Sequence, residues 1–427
     1  MLKLRRIPKI VLLGFMAMLA FTGSLYAKDV GRMVSGVWTE VDNPYNVTAS
    51  LLIPSGETLT IQEGVKIYFK KNLAIKVKGN LLIKGSGSKK VIFSLEDESS
   101  GKWYGVEVES GASAEIRHCL IEYASTAIKI GRDVKKVVID NCVIKEGGIK
   151  IESKSDITNS EIKGGISIEY GDNNLIKGNI LTDGGISIDE NSDNNVIEEN
   201  SIGAGKNRSG IYTGYHRTDY WNAPSRFTYS MGNKITGNTI ANCNRGIYIS
   251  GGSSNIVSYN VIGNTTDAGM YLGGGTAIHN SIRGNQGYGI RVDGAVKINN
   301  NEIYGNTKFD LYNEGSSEVD ASNNWWGTSD ESEIVTKIFD YFQDAKKGIV
   351  NFKPFLKEPP ITMSRSEILK IQKRLLELGY DPGVADGLMG AKTKDAIKSF
   401  QRDNSLEETG IIDEKTKEKL FSKIDKQ

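Results

Sequence analysis

Three cysteines in 427 residues, Cys119, Cys142 and Cys243, are too few to staple a chain of this length. A disulfide framework of the kind that supports small secreted domains is therefore excluded. Eight prolines exclude long proline-rich spacers. An excess of one charge is missing too, since 53 Lys plus Arg face 52 Asp plus Glu for a net of +1. That balance removes any general attraction to nucleic acid or to an anionic membrane, so a charged partner must be recognised locally. No His or Cys cluster has the spacing of a zinc site. The one extended apolar run, Ile10 to Phe21, stops at twelve residues, short of the ~20 that a membrane-spanning helix needs. It follows the basic Lys3, Arg5, Arg6 and Lys9 and precedes Gly23-Ser24-Leu25-Tyr26-Ala27, so residues 1–27 read as a signal peptide cut after Ala27. With no cysteine near the cut, a lipid anchor is not expected. The expected product is exported, to the periplasm, cell wall or extracellular space, and has no membrane contact after cleavage.

What the chain has in quantity is glycine, 48 residues, which with so little proline favours tight turns between strands. Its length suits one large unit and one small one. Fragments of the type G-I-x-I recur at GVEVE (105), AIKIG (127), GIKIE (148), GISIE (165), GISID (185), GIYTG (210), GIYIS (246), GMYLG (269), GIRVD (289) and DLYNE (310). Their starts lie 22, 21, 17, 20, 25, 36, 23, 20 and 21 residues apart. A period of this size marks stacked supersecondary units, and the alternation of apolar and polar positions makes them strands. A second signature runs in phase: CLI (119), CVI (142), SEI (160), NIL (179), NSI (200), NTI (238), NVI (260), NSI (280), NEI (301) and NNWW from 323. Stacked coils place matching letters about 4.8 Å apart, so the inward Asn residues are expected to hydrogen-bond up and down the stack. Cys119 and Cys142 share that row and read as small core residues; a redox pair is the alternative, less favoured because in-register stacking need not meet disulfide geometry.

These two rows resemble the right-handed parallel β-helix proteins, the pectate-lyase-like fold, over roughly residues 30 to 356. "IPSGETLTIQEGV" resembles the entry phrase of that family, and "NNWWGTSDESEIVTKIF" its terminal coil and capping helix. Ile334, Ile338 and Phe342 give the expected cap helix one apolar face.

Past Pro359-Pro360 the pattern changes to three short helices. "SRSEILKIQKRLLELGY" carries a capping box at Ser364 and Glu367 and a buried face of Ile368, Ile371, Leu375 and Leu378, while Asp413 suits the N-cap of the last helix. Tyr380, Asp386, Gly387, Gly390, Thr393, Phe400 and Gln401 match the motif of peptidoglycan-binding domains, which this segment resembles. That resemblance implies non-catalytic attachment to peptidoglycan. From the residues themselves, Gly387 and Gly390 are expected to shape a loop and Phe400 to fill the core. The fold class read from the whole is mainly β: a right-handed parallel β-helix solenoid (28–356), a linker (357–363) and a small three-helix α domain (364–427).

The middle letters of the I-x-I fragments point outward and read Glu107, Lys129, Lys150, Ser167, Ser187, Tyr212, Tyr248, Tyr271, Arg291, Tyr312. Tyrosines at coil spacing suggest a platform for sugar rings. The late repeat at 210 brings extra residues, among them Tyr220 and Trp221, onto the same side, where insertions in solenoids often serve binding. Tyr212, Tyr220, Trp221, Tyr248, Tyr271 and Tyr312 are thus the candidate carbohydrate-binding residues. A lyase would need a base and charge stabilisation, for which His216, Arg217 or Arg291 could serve in either role; a hydrolase needs two carboxylates, and Asp219 and Asp293 are the candidates. No complete catalytic signature accompanies them, so an enzyme is the alternative to a binding protein. Glu152, Glu169 and Asp189 fall on corresponding positions of adjacent coils and repel unless water screens them or Ca2+ bridges them; solvent is the preferred reading and no cofactor is required. The expected partners are peptidoglycan and a polysaccharide, and the expected state is a monomer.

Overall fold

The computed structural model describes residues 27–189, 191–218, 226–360, 365–387, 389–410, 412 and 414–422. The signal segment, Ser364 and Asp413 lie outside them. Strand after strand pairs in parallel with its counterpart one coil away, building a solenoid of about 12 turns. One coil shows the rule. Ile166–Glu169 lies on a first face, Leu175–Lys177 on a second and Ile180–Thr182 on a third, and the next coil repeats this with Ile186–Asp189, Val196–Glu198 and Ser201–Gly203. The second face is a 14-stranded sheet; the first and third join through the long strand Tyr45–Ile53, which pairs with Lys66–Phe69 on one face and Ala74–Val77 on the other.

Each strand alternates buried and half-exposed positions, so Ile166 and Ile168, Ile176, and Leu181 enter one continuous core. Each buried Ile or Leu stabilises by about 1.5–3 kcal/mol, and a one-residue slip would turn the whole set outward. Phe69 and Trp103 stack at 4.2 Å near the N-terminal end, where Trp103 Nε1 donates to the Glu122 carbonyl at 2.7 Å.

Asparagine fixes the corners. Asn179, Asn200, Asn238, Asn260, Asn280, Asn301 and Asn324 are buried, and from Asn200 on the side-chain oxygen of each accepts from both the backbone N–H and the side-chain amide of the Asn one coil earlier, at 2.8–3.0 Å, while that of Asn179 accepts from the Ser160 N–H. A second ladder, Asn174, Asn195, Asn233 and Asn255, does the same at the corner between the first and second faces. The "DNN" turns from which Asn174 and Asn195 come suggest only local capping in sequence; in space Asn174 and Asn195 tie coil to coil. Between the second and third faces the turn is a single residue with positive φ, such as Gly178, Glu199, Gly237, Tyr259 and His279.

The late repeat is an antiparallel hairpin, Tyr215–Thr218 with Arg226–Tyr229, leaving the solenoid between the first and second faces. The cap differs from expectation. Its helix, α1, spans only Glu331–Thr336, N-capped by Asp330, whose side chain accepts from Ser332 N–H. Ile338–Phe339 instead pairs in parallel with Leu311–Tyr312, and Phe342 is 78% exposed. The β-branched Ile338 beside an open strand edge extends the first face by one more rung.

Three further helices, α2 (Arg365–Glu377), α3 (Ala391–Asp403) and α4 (Glu414–Phe421), bury Ile368, Ile371, Leu375, Ile397, Phe400 and Leu420. Tyr259 of the solenoid packs against this core and stacks on His279 at 5.0 Å.

Candidate functional site

The outward column is realised rung by rung: Glu107, Lys129, Lys150, Ser167, Ser187, Tyr212, Tyr248, Tyr271, Arg291 and Tyr312 are successive register partners. Tyr212 and Tyr248 lie with ring centroids 5.2 Å apart and Tyr248 and Tyr271 at 4.6 Å, interplanar angles 22° and 7°. These rings are stacked on one another along the solenoid axis. They present edges and hydroxyls to solvent, which makes the row a ribbed wall rather than the flat platform the sequence suggests. Tyr312 joins a separate group with Phe339 and Tyr288.

Arg291 separates the two groups. Its guanidinium donates to both oxygens of Asp267 (2.9 and 3.0 Å) and to Glu314, while Asp267 also accepts from Arg245 at 2.6 Å. Burial works against its charge, yet Glu314 and Asp267 outweigh that and hold its pKa above the ordinary value. A guanidinium so held is a brace for the face, unsuited to removing a proton. Asp293 accepts from the Tyr271 hydroxyl at 3.3 Å, and burial with that carboxylate pushes the phenol up to about 12. Asp219, Tyr220 and Trp221 lie outside the described residues, as do the side chains of His216 and Arg217. Glu169 and Asp189 are register partners, but Lys150 meets Glu169 at 2.7 Å and Arg132 meets Glu152 at 3.7 Å, so cations already accompany the acidic row. Among the described residues no group of three acidic, His or Cys side chains could hold a metal ion.

Where the column shrinks to Ser167 and Ser187, the surface opens into a cleft of about 450 Å³. Lys150 stands at one end, Tyr212 at the other, and Arg208 and Ser209 form a side wall. The floor is backbone, from the doublets Gly147-Gly148 and Gly164-Gly165 and from Gly185. Gly165 has φ +84°, and a Cβ there would stand 2.6 Å from the Gly185 carbonyl oxygen, so glycine is what lets these coils close up beneath the cleft. Arg208 reaches the wall because the strand Gly205–Thr213 bulges: Gly205 pairs with Cys243 and Ser209 with Arg245, leaving Lys206, Asn207 and Arg208 outside the ladder. Arg208 donates to the Asp183 carbonyl at 3.1 Å and makes no ion pair among the described residues. The sequence held the signal for this cleft, in a "GG" before three successive strands and two serines in the outward column.

In the helical domain the motif residues divide by depth. Gln372 holds the loop and the next helix together, donating to Thr393 at 3.0 Å and Asp386 at 3.1 Å and accepting from Gly387 N–H at 2.7 Å. Gln401 repeats the device with Thr416 at 3.1 Å and Gly410 N–H at 2.8 Å. Thr393, Phe400 and Gln401 are thereby buried supports, while Tyr380, Asp386 and Gly390 reach the surface.

Residues 81–218 and 222–326 match the family model described as right handed beta helix region, more than half of the chain. The chain belongs to the right-handed β-helix family. Residues 364–420 match the model of the peptidoglycan binding domain. Among curated proteins, the carboxy-terminal processing protease CtpB of Bacillus subtilis (strain 168) is 35% identical over 97 residues, 23% of this chain and 19% of that protein. The chain thus spans about a fifth of the length of this relative. Among solved structures, the periplasmic alginate epimerase AlgG is 16% identical (74% of each chain, TM-score 0.32). The alginate lyase from Paenibacillus sp. str. FPU-7 is 16% identical (75% of this chain, 99% of that, TM-score 0.34), and tailspike protein 3 of bacteriophage CBA120 is 13% identical (78% and 57%, TM-score 0.39). At such scores the assignment rests on the family model and on the coils themselves. No helix among the described residues is long and apolar enough to cross a membrane.

Proposed function

We propose that this β-helix protein is exported, is retained on peptidoglycan by its C-terminal domain, and binds a polysaccharide on the first face of the solenoid. The cleft between Lys150 and Tyr212 carries this reading: it is long, backbone-floored, lined by serine hydroxyls and closed by an aromatic ring. Small polar groups at fixed spacing beside an apolar ring suit a row of sugar units, whose hydroxyls need donors and acceptors and whose C–H faces need a flat partner. Attachment to the wall raises the local concentration of the second site, so neither contact needs to be tight.

The mature chain from residue 28, bearing both domains, tests it. It should sediment with purified peptidoglycan sacculi and retain members of a panel of acidic and neutral polysaccharides. Lack of sedimentation removes the anchor, and lack of any glycan binding removes the cleft. Release of unsaturated products or new reducing ends would replace the binding reading with an enzymatic one.

A further inference from the structure

We propose that Cys119 and Cys142 are joined by a disulfide in the mature protein, a single covalent rung between two coils. The two side chains occupy the same inward row on adjacent coils, where Leu120 pairs with Val143 and Ile121 with Ile144 in register. Both are buried, at 0% and 1% exposure. Their Sγ atoms lie 2.8 Å apart, closer than two sulfur atoms rest without a bond or a shared proton. The row explains why the pair stands here. From Ser160 onward its members bond to the coil above or below, Cys142 N–H donating to Ser160 Oγ at 3.1 Å and Ser160 N–H to Asn179 at 2.9 Å. Between the apolar Val91, the register partner of Cys119, and Ser160, the two cysteines carry no amide or hydroxyl to make this link, and a disulfide would supply it. Cys243 is buried on its own.

The chemistry is thiol–disulfide exchange with a protein or small-molecule disulfide as oxidant. One thiolate attacks the oxidant's S–S bond to give a mixed disulfide, and the second thiolate displaces the oxidant. Two protons and two electrons leave the cysteines, and the oxidant departs reduced, as a dithiol from a protein disulfide or as two thiols from a small-molecule one. Burial disfavours the Cys119 thiolate once the coils are closed, so the bond forms while this part of the solenoid is still winding and is afterwards shielded from reductant. Oxidation in the cell rests on the export reading; the test below does not.

The mature chain is refolded in a glutathione redox buffer, quenched with acid, alkylated under denaturing conditions and digested with trypsin. One thiol, Cys243, should take label, and the fragments 118–129 and 137–145 should be recovered as one linked pair. Reduction before refolding should lower Tm by a few degrees. The variants Cys119→Ser and Cys142→Ser should show two thiols and no response to reductant, and Cys243→Ser none free. Three labelled thiols in wild-type protein, under conditions that oxidise a control dithiol protein, would overturn the proposal and leave a pair of thiols sharing a proton.

Discussion

Tyr248 and Tyr271 lie face to face on successive coils, ring centroids 4.6 Å apart and 7° from parallel. Two rings in this arrangement spend their faces on each other, which stabilises the sheet by about 0.5–1.5 kcal/mol beyond area burial but leaves no flat surface between them for a sugar. Tyr212 is different in its place, since it forms an end wall of the cleft. Tyr212→Ala should therefore weaken glycan binding about tenfold, the equivalent of ~1.4 kcal/mol. Tyr271→Ala should instead lower the urea midpoint while changing affinity little. Titration calorimetry with the best ligand of the panel, alongside urea unfolding, separates the two; equal loss of affinity in both variants would make the entire tyrosine row the binding surface.

Arg208 gives the cleft wall its positive charge without an ion pair among the described residues. Arg208→Glu should reduce binding of acidic polysaccharides and leave neutral ones unaffected, with the difference shrinking as salt rises from low to about 0.5 M. The side chain is exposed, so stability should stay within roughly 0.5 kcal/mol of wild type. Retained affinity for acidic chains at low salt would place recognition elsewhere.

The asparagine ladder makes a sharper stability prediction. Asn238, at 0% exposure, accepts both the backbone and side-chain N–H of Asn200 at 3.0 Å and donates to the Ile197 carbonyl at 2.9 Å. Asn238→Ala leaves the Asn200 backbone N–H buried without this acceptor and takes one partner each from the Asn200 amide, which keeps the Ile176 carbonyl, and from the Ile197 carbonyl. At about 1–3 kcal/mol for an orphaned buried group, the urea midpoint should fall by an amount worth roughly 2–3 kcal/mol. Asn242→Ala, on the exposed turn one coil corner away, should cost well under half of that.

Much of this was legible in the letters because a solenoid turns a sequence column into a line in space. Tyr212, Tyr248 and Tyr271 could be placed on one stripe from their I-x-I context alone, and Asn179 to Asn301 in one buried ladder from theirs. What the columns do not encode is the angle of a ring about the stripe, so a stack could pass for a platform. Nor do they state partners from other rows: Asp267, which holds Arg291, sits in a turn whose position depends on three-dimensional closure. The cleft was harder still, because it is made by what is missing. Gly165 and Gly185 matter for the side chains they do not carry, and that becomes visible only when the neighbouring coil is in place. In the helical domain, Thr393 and Gln401 mark the family because they hold its loops, which a motif match cannot distinguish from ligand contact.

Asp310 supplies a pH test of the cap end of the solenoid. Burial raises its pKa from 3.8 to about 6, against the hydrogen bonds from Asn306 and the charge of Lys337. The folded-state pKa lies above the unfolded one, so the fold prefers the protonated acid. Its favourable contribution is full below pH 3.8 and is lost as pH rises through 6, beyond which the ionised group costs roughly 3 kcal/mol. Asp310→Asn keeps an acceptor for the two Asn306 donors, now at 2.8 and 3.1 Å, and removes the charge. Its Tm should exceed that of wild type at pH 8 and converge on it near pH 4. An unchanged or lower Tm at pH 8 would show that the carboxylate is stabilised by its surroundings.

The contact between solenoid and helical domain should respond to acid in the opposite sense. Tyr259 and His279 occupy a corner where the turn needs positive φ, +56° for each, a conformation that costs a bulky residue about 1–2 kcal/mol compared with the glycine used at 178 and 237. The cost is offset by packing: the rings stack at 5.0 Å, Tyr259 lies against the helical core, and its hydroxyl shares a hydrogen bond with the Met389 backbone. Burial, with Lys394 nearby, depresses the His279 pKa below its ordinary 6.5. A base with a depressed folded-state pKa stabilises fully above 6.5, and that stability is lost as pH falls below it. The helical domain should therefore loosen from the solenoid on mild acidification, seen as a larger radius of gyration in solution scattering and faster proteolysis between residues 357 and 367. His279→Asn keeps the turn and removes the titration, so its scattering should no longer change between pH 7.5 and 5.5. A wild-type profile flat across that range would mean that the imidazole does not govern the contact.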